Sequence, residues 1–420
     1  MKKNILTGSI ILASMGVASA QGLYDIAPSF TEKESSPIKW TAGLSVGVDD
    51  NVSPSTLFAE DDSIGFLNAF VTASLRSITP QTTWDAYATV GGRLYFDEPV
   101  GSGDDLIPQF SIGLNASHQV NERLRLVSSN SAAYQSEPDF ENGFAGNSQT
   151  GDYLSYNTTN SVGYRWSERL GTFTGFGING LDFNQGDLND RVSYSLFHNF
   201  RYNLNEQTIL TAGYRYRHSR NRGFAGDADS HIITAGVERR LNQSTVFSVK
   251  AGVQVRDVDG GASNTSPYVE AALRSQVNEQ FSIRSFLRLS QEEFGTTLSL
   301  VNLGQGFTNF NNATYDENRT LRIGVDAEYR VSRPLTLLAG FDFVNTEYSD
   351  GRSRRSFIDG STLLLPDEDQ NVYNLFVGFS YEVSQDIFFT GTYNYTTSDS
   401  DLGGRDYDRN RASLGVRVTF

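Results

Sequence analysis

A polar turn that recurs between alternating stretches is the feature that most constrains the fold of this chain. Seven turns share an apolar first residue and Asn or Ser second: Val120 to Arg123, Trp166 to Arg169, Leu204 to Gln207, Leu241 to Ser244, Val277 to Gln280, Val331 to Pro334 and Val383 to Asp386. An eighth turn, Ser77 to Thr83, differs in sequence but fits the spacing. Short polar turns between alternating stretches are typical of β-hairpins. The sequence therefore predicts a hairpin repeat from about Lys39 to Phe420.

Longer polar loops alternate with these short turns, for example Asp49 to Asp62, Gln291 to Asp316 and Thr346 to Asp369. Short turns on one side and long loops on the other are typical of transmembrane antiparallel β-barrels. Eight short turns join sixteen strands, and two terminal strands, Trp40 to Val48 and Asn410 to Phe420, bring the predicted number to eighteen. Sixteen is the alternative if the weak strand near Leu124 is not formed. An even number places both termini in the periplasm.

Period-two alternation separates an apolar face from a polar one. The clearest example sets Leu321, Ile323, Val325, Ala327 and Tyr329 against Arg322, Gly324, Asp326, Glu328 and Arg330. A soluble sandwich would show the same alternation. Three features favour an all-β, up-and-down barrel in a membrane: Trp40, Trp84 and Trp166 fall at strand ends beside short turns, closure removes every edge strand, and the last strand ends on Phe420. That aromatic ending resembles the signal that the barrel-assembly machinery recognises.

Composition excludes several other classes. After the N-terminal segment, no stretch approaches the roughly 18 to 20 apolar residues of a membrane helix. The absence of cysteine excludes disulfides, thiolate nucleophiles and Cys-ligated metals. A net charge of −15 argues against a general nucleic-acid binder.

The N-terminus is typical of a cleaved signal peptide. A basic start, an apolar core from Ile5 to Val17 and the small residues Ala18 to Ala20 predict cleavage between Ala20 and Gln21. We therefore expect three segments: a signal peptide (residues 1–20), a short periplasmic segment (residues 21–38) and an outer-membrane barrel (residues 39–420). The periplasmic segment is too short to be the plug domain of an energised receptor.

Two strand-turn-strand units, Phe200 to Tyr214 and Tyr329 to Phe341, resemble those of the putative β-barrel porin 2 family. The resemblance implies a pore in the cell outer membrane of a Gram-negative type of cell and, in some relatives, a link to exopolysaccharide secretion. The family's motifs are architectural, so the resemblance supplies no catalytic residue and no solute.

If the apolar face meets lipid, the other face lines the lumen. Ten arginines are predicted to line the pore: Arg93, Arg165, Arg215, Arg217, Arg256, Arg284, Arg288, Arg322, Arg330 and Arg417. Arginine rings select anions in pores, so we expect a passive diffusion or export channel that favours anionic or polysaccharide-type solutes. Inward glycines such as Gly43 and Gly113 leave lumen space or serve strand curvature.

Two other functions are compatible with the sequence. In the first, the arginines pair with inward acids such as Asp326, the lumen is occluded, and the barrel is structural or adhesive. In the second, the chain is a hydrolase with its site at the outer rim, where one hairpin carries the candidate residues His218, Ser219, Asp227, Asp229, Ser230 and His231. Rim loops are rich in such residues by default, so we predict no catalytic residue and no enzyme.

The expected partners are outer-membrane lipid and lipopolysaccharide, the barrel-assembly machinery, and small or polymeric polar solutes. We expect no nucleic acid and no cofactor. Acidic loop segments, such as Glu60 to Asp62 and Asp367 to Asp369, leave calcium binding open, but none has the spacing of an EF-hand, so no metal ligand is predicted.

Overall fold

Neighbouring strands of the wall are hydrogen-bonded all the way round, and the last strand pairs with the first, so the sheet is closed. The structure is a computed structural model, which describes residues 36–52, 63–97, 105–135, 153–183, 190–221, 226–261, 263–292, 296–302, 309–354, 362–401 and 406–420. Within these ranges no helix is long and apolar enough to span a membrane.

Within these ranges the sheet contains 20 strands, of which 18 form the barrel wall, while the two short strands Thr296–Asn302 and Thr362–Leu365 only extend loops. Their bounds are β1 Ser36–Asp49, β2 Ile64–Ile78, β3 Thr82–Tyr95, β4 Leu106–Gln119, β5 Leu124–Gln135, β6 Tyr153–Arg165, β7 Leu170–Phe183, β8 Arg191–Asn205, β9 Thr208–Asn221, β10 Ala228–Asn242, β11 Thr245–Val258, β12 Ser263–Gln276, β13 Phe281–Gln291, β14 Thr296–Asn302, β15 Asn309–Arg330, β16 Leu335–Arg354, β17 Thr362–Leu365, β18 Glu368–Ser384, β19 Ile387–Ser400 and β20 Tyr407–Thr419. The predicted all-β antiparallel barrel of eighteen strands is confirmed.

In five of the seven repeated turns, the side chain of the second residue accepts hydrogen bonds from the backbone of the turn. Asn121 Oδ1 accepts hydrogen bonds from the N–H groups of Arg123 and Leu124, both at 2.9 Å. Asn278 Oδ1 makes the same two contacts with Gln280 and Phe281 at 2.8 Å. Asn and Ser stabilise turns through such side-chain to backbone bonds. All eight predicted turns connect consecutive strands.

The weak strand near Leu124 is a full member of the wall. It forms β5, which pairs along its length with both β4 and β6. The alternative of sixteen strands is therefore wrong. The outward face of β5 carries Ser128 and Asn130, and these interrupt the apolar alternation by which the other strands are recognised.

Two segments predicted as loops are partly strand. Between Gln291 and Asp316, β14 pairs with the first residues of β15, and β16 continues beyond Thr346 to meet β17. These extensions lie past the outward ion pair of Arg319 and Glu347, which ends the apolar band of β15 and β16. Backbone pairing joins these extensions, and between the first of them and β16 the rings of Tyr315 and Tyr348 pack with centroids 5.5 Å apart.

The predicted signal peptide, its cleavage site at Ala20 and Gln21, and most of the periplasmic segment lie outside the described residues. The first strand begins at Ser36, slightly before the expected boundary at Lys39.

Inward glycines leave space for aromatic rings of the neighbouring strand. A Cβ atom on Gly43 would overlap the ring of Phe70, and one on Gly113 would overlap the ring of Tyr87. Both pairs are direct cross-strand neighbours. These glycines therefore let large rings lie flat against the lumenal wall, a close approach that any side chain would prevent.

The pairing of the first and last strands, β1 and β20, closes the barrel, and we call it the seam. Hydrogen bonds hold the seam at both ends. Trp40 and Phe420 exchange two backbone hydrogen bonds of 2.8 Å at the end of the short turns. At the other end Arg409 donates to both carboxylate oxygens of Asp49, at 2.9 and 2.5 Å, and both side chains are buried. A bidentate guanidinium-carboxylate pair is the strongest common ion-pair geometry.

Removing one partner of this buried pair should destabilise the barrel strongly. We expect Asp49→Ala to lower the free energy of unfolding by about 3 to 5 kcal/mol, because Arg409 stays buried without the carboxylate that it contacts. Urea titration of the refolded barrel, followed by heat-modifiable gel mobility, measures the change. Asp326→Ala is the matched control, since it breaks the exposed Arg284 pair and should change stability by only about 0 to 1 kcal/mol. Equal effects of the two variants would contradict the role of the seam pair.

Candidate functional site: the lumen

Register and alternation assign each strand residue to the lumen or to the outer surface. On β3, Val90 faces outward and is 61% exposed, whereas Arg93 lies on the opposite face and is buried. On β20, Leu414 and Val416 face outward, and Arg417 lies on the other face. The same rule places all ten predicted arginines on inward faces: Arg93, Arg165, Arg215, Arg217, Arg256, Arg284, Arg288, Arg322, Arg330 and Arg417.

These arginines differ in how far they are enclosed. Arg256 and Arg322 are almost completely buried, whereas the side chain of Arg284 is 49% exposed and Arg165 is exposed. A buried guanidinium requires nearby acceptors to offset its lost hydration. An exposed one stays in contact with lumenal water.

The most enclosed cluster surrounds Glu292. Its carboxylate accepts two hydrogen bonds from Arg322, at 2.7 and 2.9 Å, and lies 3.7 Å from Arg288. The backbone N–H of Glu292 donates to the carbonyl of Asn318 at 2.8 Å, which fixes the residue against β15. Glu292 follows the last residue of β13, where sequence reasoning predicted the start of a loop. Sequence reasoning did not identify Glu292 as a lumenal residue, because strand pairing places its arginine partners beside it and no local sequence pattern shows that pairing.

Further ion pairs continue the charged wall. Arg201 contacts Glu238 at 2.8 Å across β8 to β10. Lys250 lies 3.7 Å from Glu270, which also accepts a 2.7 Å hydrogen bond from the hydroxyl of Tyr268. The alternative in which inward arginines pair with inward acids thus describes part of the lumen.

The two halves of the lumen differ in packing. Towards the long loops, Ile64, Phe66, Tyr95 and Ile107 form a buried apolar cluster on inward faces. The guanidinium of Arg93 packs over the Phe66 ring at 5.0 Å. Towards the short turns, Arg284 and Asp326 form an ion pair of 2.8 Å, and each of the two side chains is about half exposed. The described side chains therefore fill the half near the long loops more tightly.

The wall separates the residues of the candidate rim hydrolase. His218 and Asp229 face each other on the outer surface, with Nδ1 and Oδ1 2.9 Å apart. Ser219 and Ser230 lie on the inward face, where Ser219 shares a 2.7 Å hydrogen bond with Ser193. Consecutive strand residues point to opposite faces.

The remaining rim candidates do not complete a triad. Asp227 precedes β10 and accepts a hydrogen bond from the backbone of Asn221 at 3.2 Å. His231 faces outward and bonds to the hydroxyl of Tyr214 at 2.8 Å. The geometry therefore brings no serine beside the His218–Asp229 pair within the described part of the chain.

Of the acidic segments, Glu60 to Asp62 lies outside the described residues, whereas Asp367 to Asp369 is included. The described ranges contain no group of three or more histidine and carboxylate side chains placed to hold a metal ion.

A closed antiparallel barrel of 18 strands, apolar outside and charged within, is the architecture of porin-like outer-membrane proteins. The family model described as Putative beta-barrel porin 2 matches residues 308–420, which run from β15 to the C-terminus. The match confirms the predicted resemblance over this segment, which contains the unit from Tyr329 to Phe341. The unit from Phe200 to Tyr214 lies outside it.

Among solved structures, the chain is similar to a BenF-like porin from Pseudomonas fluorescens, with 10% identity and a TM-score of 0.46 over 91% of this chain and 98% of that one. OpdK from Pseudomonas aeruginosa, solved with vanillate, has 11% identity and a TM-score of 0.44 over 91% and 99%. The siderophore receptor PirA from Pseudomonas aeruginosa has 12% identity and a TM-score of 0.43 over 93% and 81%. At these values the likeness carries no argument about solutes. The comparison with curated proteins gave no match.

The assignment of faces is tested by neighbouring cysteines, since the natural chain has none. We expect Thr89→Cys, on the inward face of β3, to react with a water-soluble methanethiosulfonate reagent in a lipid bilayer. Val90→Cys, its neighbour on the outer face, should stay unreacted because a charged, water-soluble reagent does not enter the hydrocarbon of the bilayer. Mass spectrometry of the recovered protein measures the labelled fraction, and preferential labelling of Val90→Cys would refute the assignment.

Proposed function

We propose that the chain forms a passive diffusion pore in the outer membrane and that this pore favours anionic or highly hydroxylated solutes, including polysaccharide-type ones. The observation that carries the proposal is the charge of the inward faces from β6 to β13. These faces hold eleven basic residues, Arg165, Arg191, Arg201, Arg215, Arg217, Arg240, Lys250, Arg256, Arg274, Arg284 and Arg288, and two acidic ones, Glu238 and Glu270.

The two acids do not neutralise this wall. Each contacts one basic residue, Glu238 with Arg201 and Glu270 with Lys250. Two acids from outside these faces, Asp326 and Glu292, contact Arg284 and Arg288, so eleven basic residues against four acids leave an excess of seven positive charges. The excess of positive charge faces a lumen whose low-dielectric walls focus the field, which raises the local concentration of anions. Guanidinium groups also bind carboxylates and phosphates through paired hydrogen bonds. The overall charge of −15 does not oppose this effect, because the electrostatic potential in the lumen is set mainly by the charges of the surrounding wall.

Passive transport has no built-in direction, so the same pore serves uptake or export according to the solute gradient. An 18-stranded barrel is wide enough to leave an aqueous channel unless something fills it. Planar-bilayer conductance of the refolded protein tests this proposal directly. Large stable steps with anion preference are expected.

A structural or adhesive barrel with an occluded lumen is the second candidate. It is favoured by the buried inward cluster of Phe66, Tyr95 and Ile107 near the long loops. This candidate predicts that correctly inserted protein gives no conductance steps in the bilayer experiment.

Neutralising an exposed inward arginine should weaken anion preference. For Arg284→Gln we expect the anion-to-cation permeability ratio to fall by about two- to fivefold, since one charge a few ångströms from a passing ion is worth about 1 kcal/mol in water. Reversal potentials in a potassium chloride gradient measure the ratio. Arg239→Gln removes an exposed outward arginine at the periplasmic end of β10 and should leave the ratio unchanged. An unchanged ratio in Arg284→Gln would remove this residue from the ion path.

Neutralising Glu292 should have the opposite effect. Glu292→Gln keeps the shape of the side chain but removes the negative charge between Arg288 and Arg322, so we expect a higher anion-to-cation ratio. The same reversal potentials measure it, with Glu279→Gln in an exposed periplasmic turn as the control. An unchanged ratio in Glu292→Gln would show that the cluster does not contribute to the field of the pore.

A further inference from the structure

A polar patch lies on the outer surface of β5 and β6, at the depth where strands such as β1 and β18 are apolar. Beside it, β7 and β8 carry a smaller outward polar pair, Thr174 and His198, whose Oγ1 and Nδ1 atoms are 2.7 Å apart. On β1 the outward residues at mid-strand are Leu44 and Val46, and on β18 they are Leu375 and Val377, all strongly exposed. On β5 and β6 the corresponding positions are Ser128, Asn130, Thr158 and Asn160. We call these four residues the β5–β6 patch.

The patch lies within the apolar band rather than at its edge. Leu126 and Val162, next to it on the periplasmic side, are 41% and 46% exposed. On the other side the outward face of β5 continues with Ala132 and Tyr134, and that of β6 continues with Tyr156 and Leu154. Apolar outward residues thus flank the patch above and below, so a bilayer around this barrel would place it in hydrocarbon.

The four residues bond to one another without satisfying the whole patch. Ser128 donates to Asn160 Oδ1 at 2.7 Å, Asn130 donates to Ser128 at 2.8 Å, and Thr158 donates to Asn130 Oδ1. The Asn160 amide N–H₂ group makes no hydrogen bond to any described residue. An amide has two N–H donors and two acceptor sites, so each asparagine keeps capacity that lipid cannot use.

Polar groups in the lipid band are expected to contact protein. An amide transferred into hydrocarbon without partners loses most of its hydration free energy, and side chains such as Asn and Ser are used to join membrane segments. The patch carries no charge, so it offers nothing that a charged partner would recognise. It carries donors and acceptors in equal measure, which makes it complementary to itself.

Symmetry favours a second copy of this chain as the occupant. Two copies inserted in the same direction are related by an axis along the bilayer normal, and a two-fold axis brings the same patch of each copy together at the same depth. Asparagine amides then pair reciprocally, with the N–H of one copy donating to the carbonyl of the other. The outward neighbours Ala116 and Ala132 on β4 and β5 are small, which permits close approach on that side of the patch, whereas Tyr156, opposite Ala132, is large and adds a hydroxyl.

We propose that this chain forms a two-fold symmetric dimer in the membrane through the outward faces of β5 and β6. This inference rests on the proposed insertion into a membrane but not on the selectivity of the pore. The inward neighbours Ser129 and Ser131 face the lumen, so loss of the dimer and loss of conductance are separable results.

Cross-linking in a bilayer tests the contact with the patch intact. Ala132→Cys lies beside the patch, and a short membrane-permeable bis-methanethiosulfonate should convert it to a covalent dimer on non-reducing gels. Ala251→Cys, an exposed outward alanine in the apolar band of β11, is the matched control and should stay monomeric. Monomer in both variants would overturn the proposal, as would an adduct that forms only with another protein in native membranes.

Single-molecule photobleaching of labelled protein in liposomes gives the stoichiometry. The natural chain should bleach in two steps, and the double variant Asn130→Leu with Asn160→Leu should bleach in one while keeping the conductance of the natural chain. One or three steps for the natural chain would overturn the two-fold dimer. If the double variant does not fold, the step count of the natural chain and the Ala132→Cys result still decide the matter.

Discussion

Backbone hydrogen bonding in an apolar medium is the constraint on which the rest of this structure depends. A strand edge facing lipid would leave a row of N–H and C=O groups without partners, and each such group is costly. The pairing of β1 with β20 removes that edge, and it is continuous from Thr41 opposite Thr419 to Asp49 opposite Arg411. Closure in turn fixes which face of every strand looks inward, because one slip of register would exchange lumen and lipid along a whole strand.

Each strand therefore borders the lumen on one face and lipid on the other. Because successive residues point to opposite faces, the position of a residue along its strand decides which of the two it meets. On the hairpin of β9 and β10 this rule puts Arg215 and Arg217 in the lumen and puts His218 and Asp229 outside. Residues adjacent in sequence are thus prevented from sharing a site. A lumenal site is assembled instead from alternate residues of different strands, as in the contact of Glu292 with Arg322 across β13 and β15.

The parts of the fold that follow from local chemistry were predictable from sequence. Asn121 and Asn278 bond to their own turns, so the hairpin repeat, the strand number and the inward arginines all follow from short-range patterns. The parts that depend on distant pairing were not. The strand β14 has no alternation that marks it, and the role of Glu292 appears only when β15 places Arg322 beside it. The strand β5 gave a weak signal because its outward face is polar.

Polar residues on the two faces of the wall have separate physical meanings, and only the outward ones depart from the alternation rule. Inward charges on β6 to β13 act on the water of the lumen, whereas the outward Asn130 and Asn160 lie in the lipid band. Natural sequences depart from local rules mainly where function requires it. Because the wall is one residue thick, Asn130 acts on the outer surface while its neighbours Ser129 and Ser131 act on the lumen. Assembly and permeation can therefore change independently, even where both are encoded on the same strand.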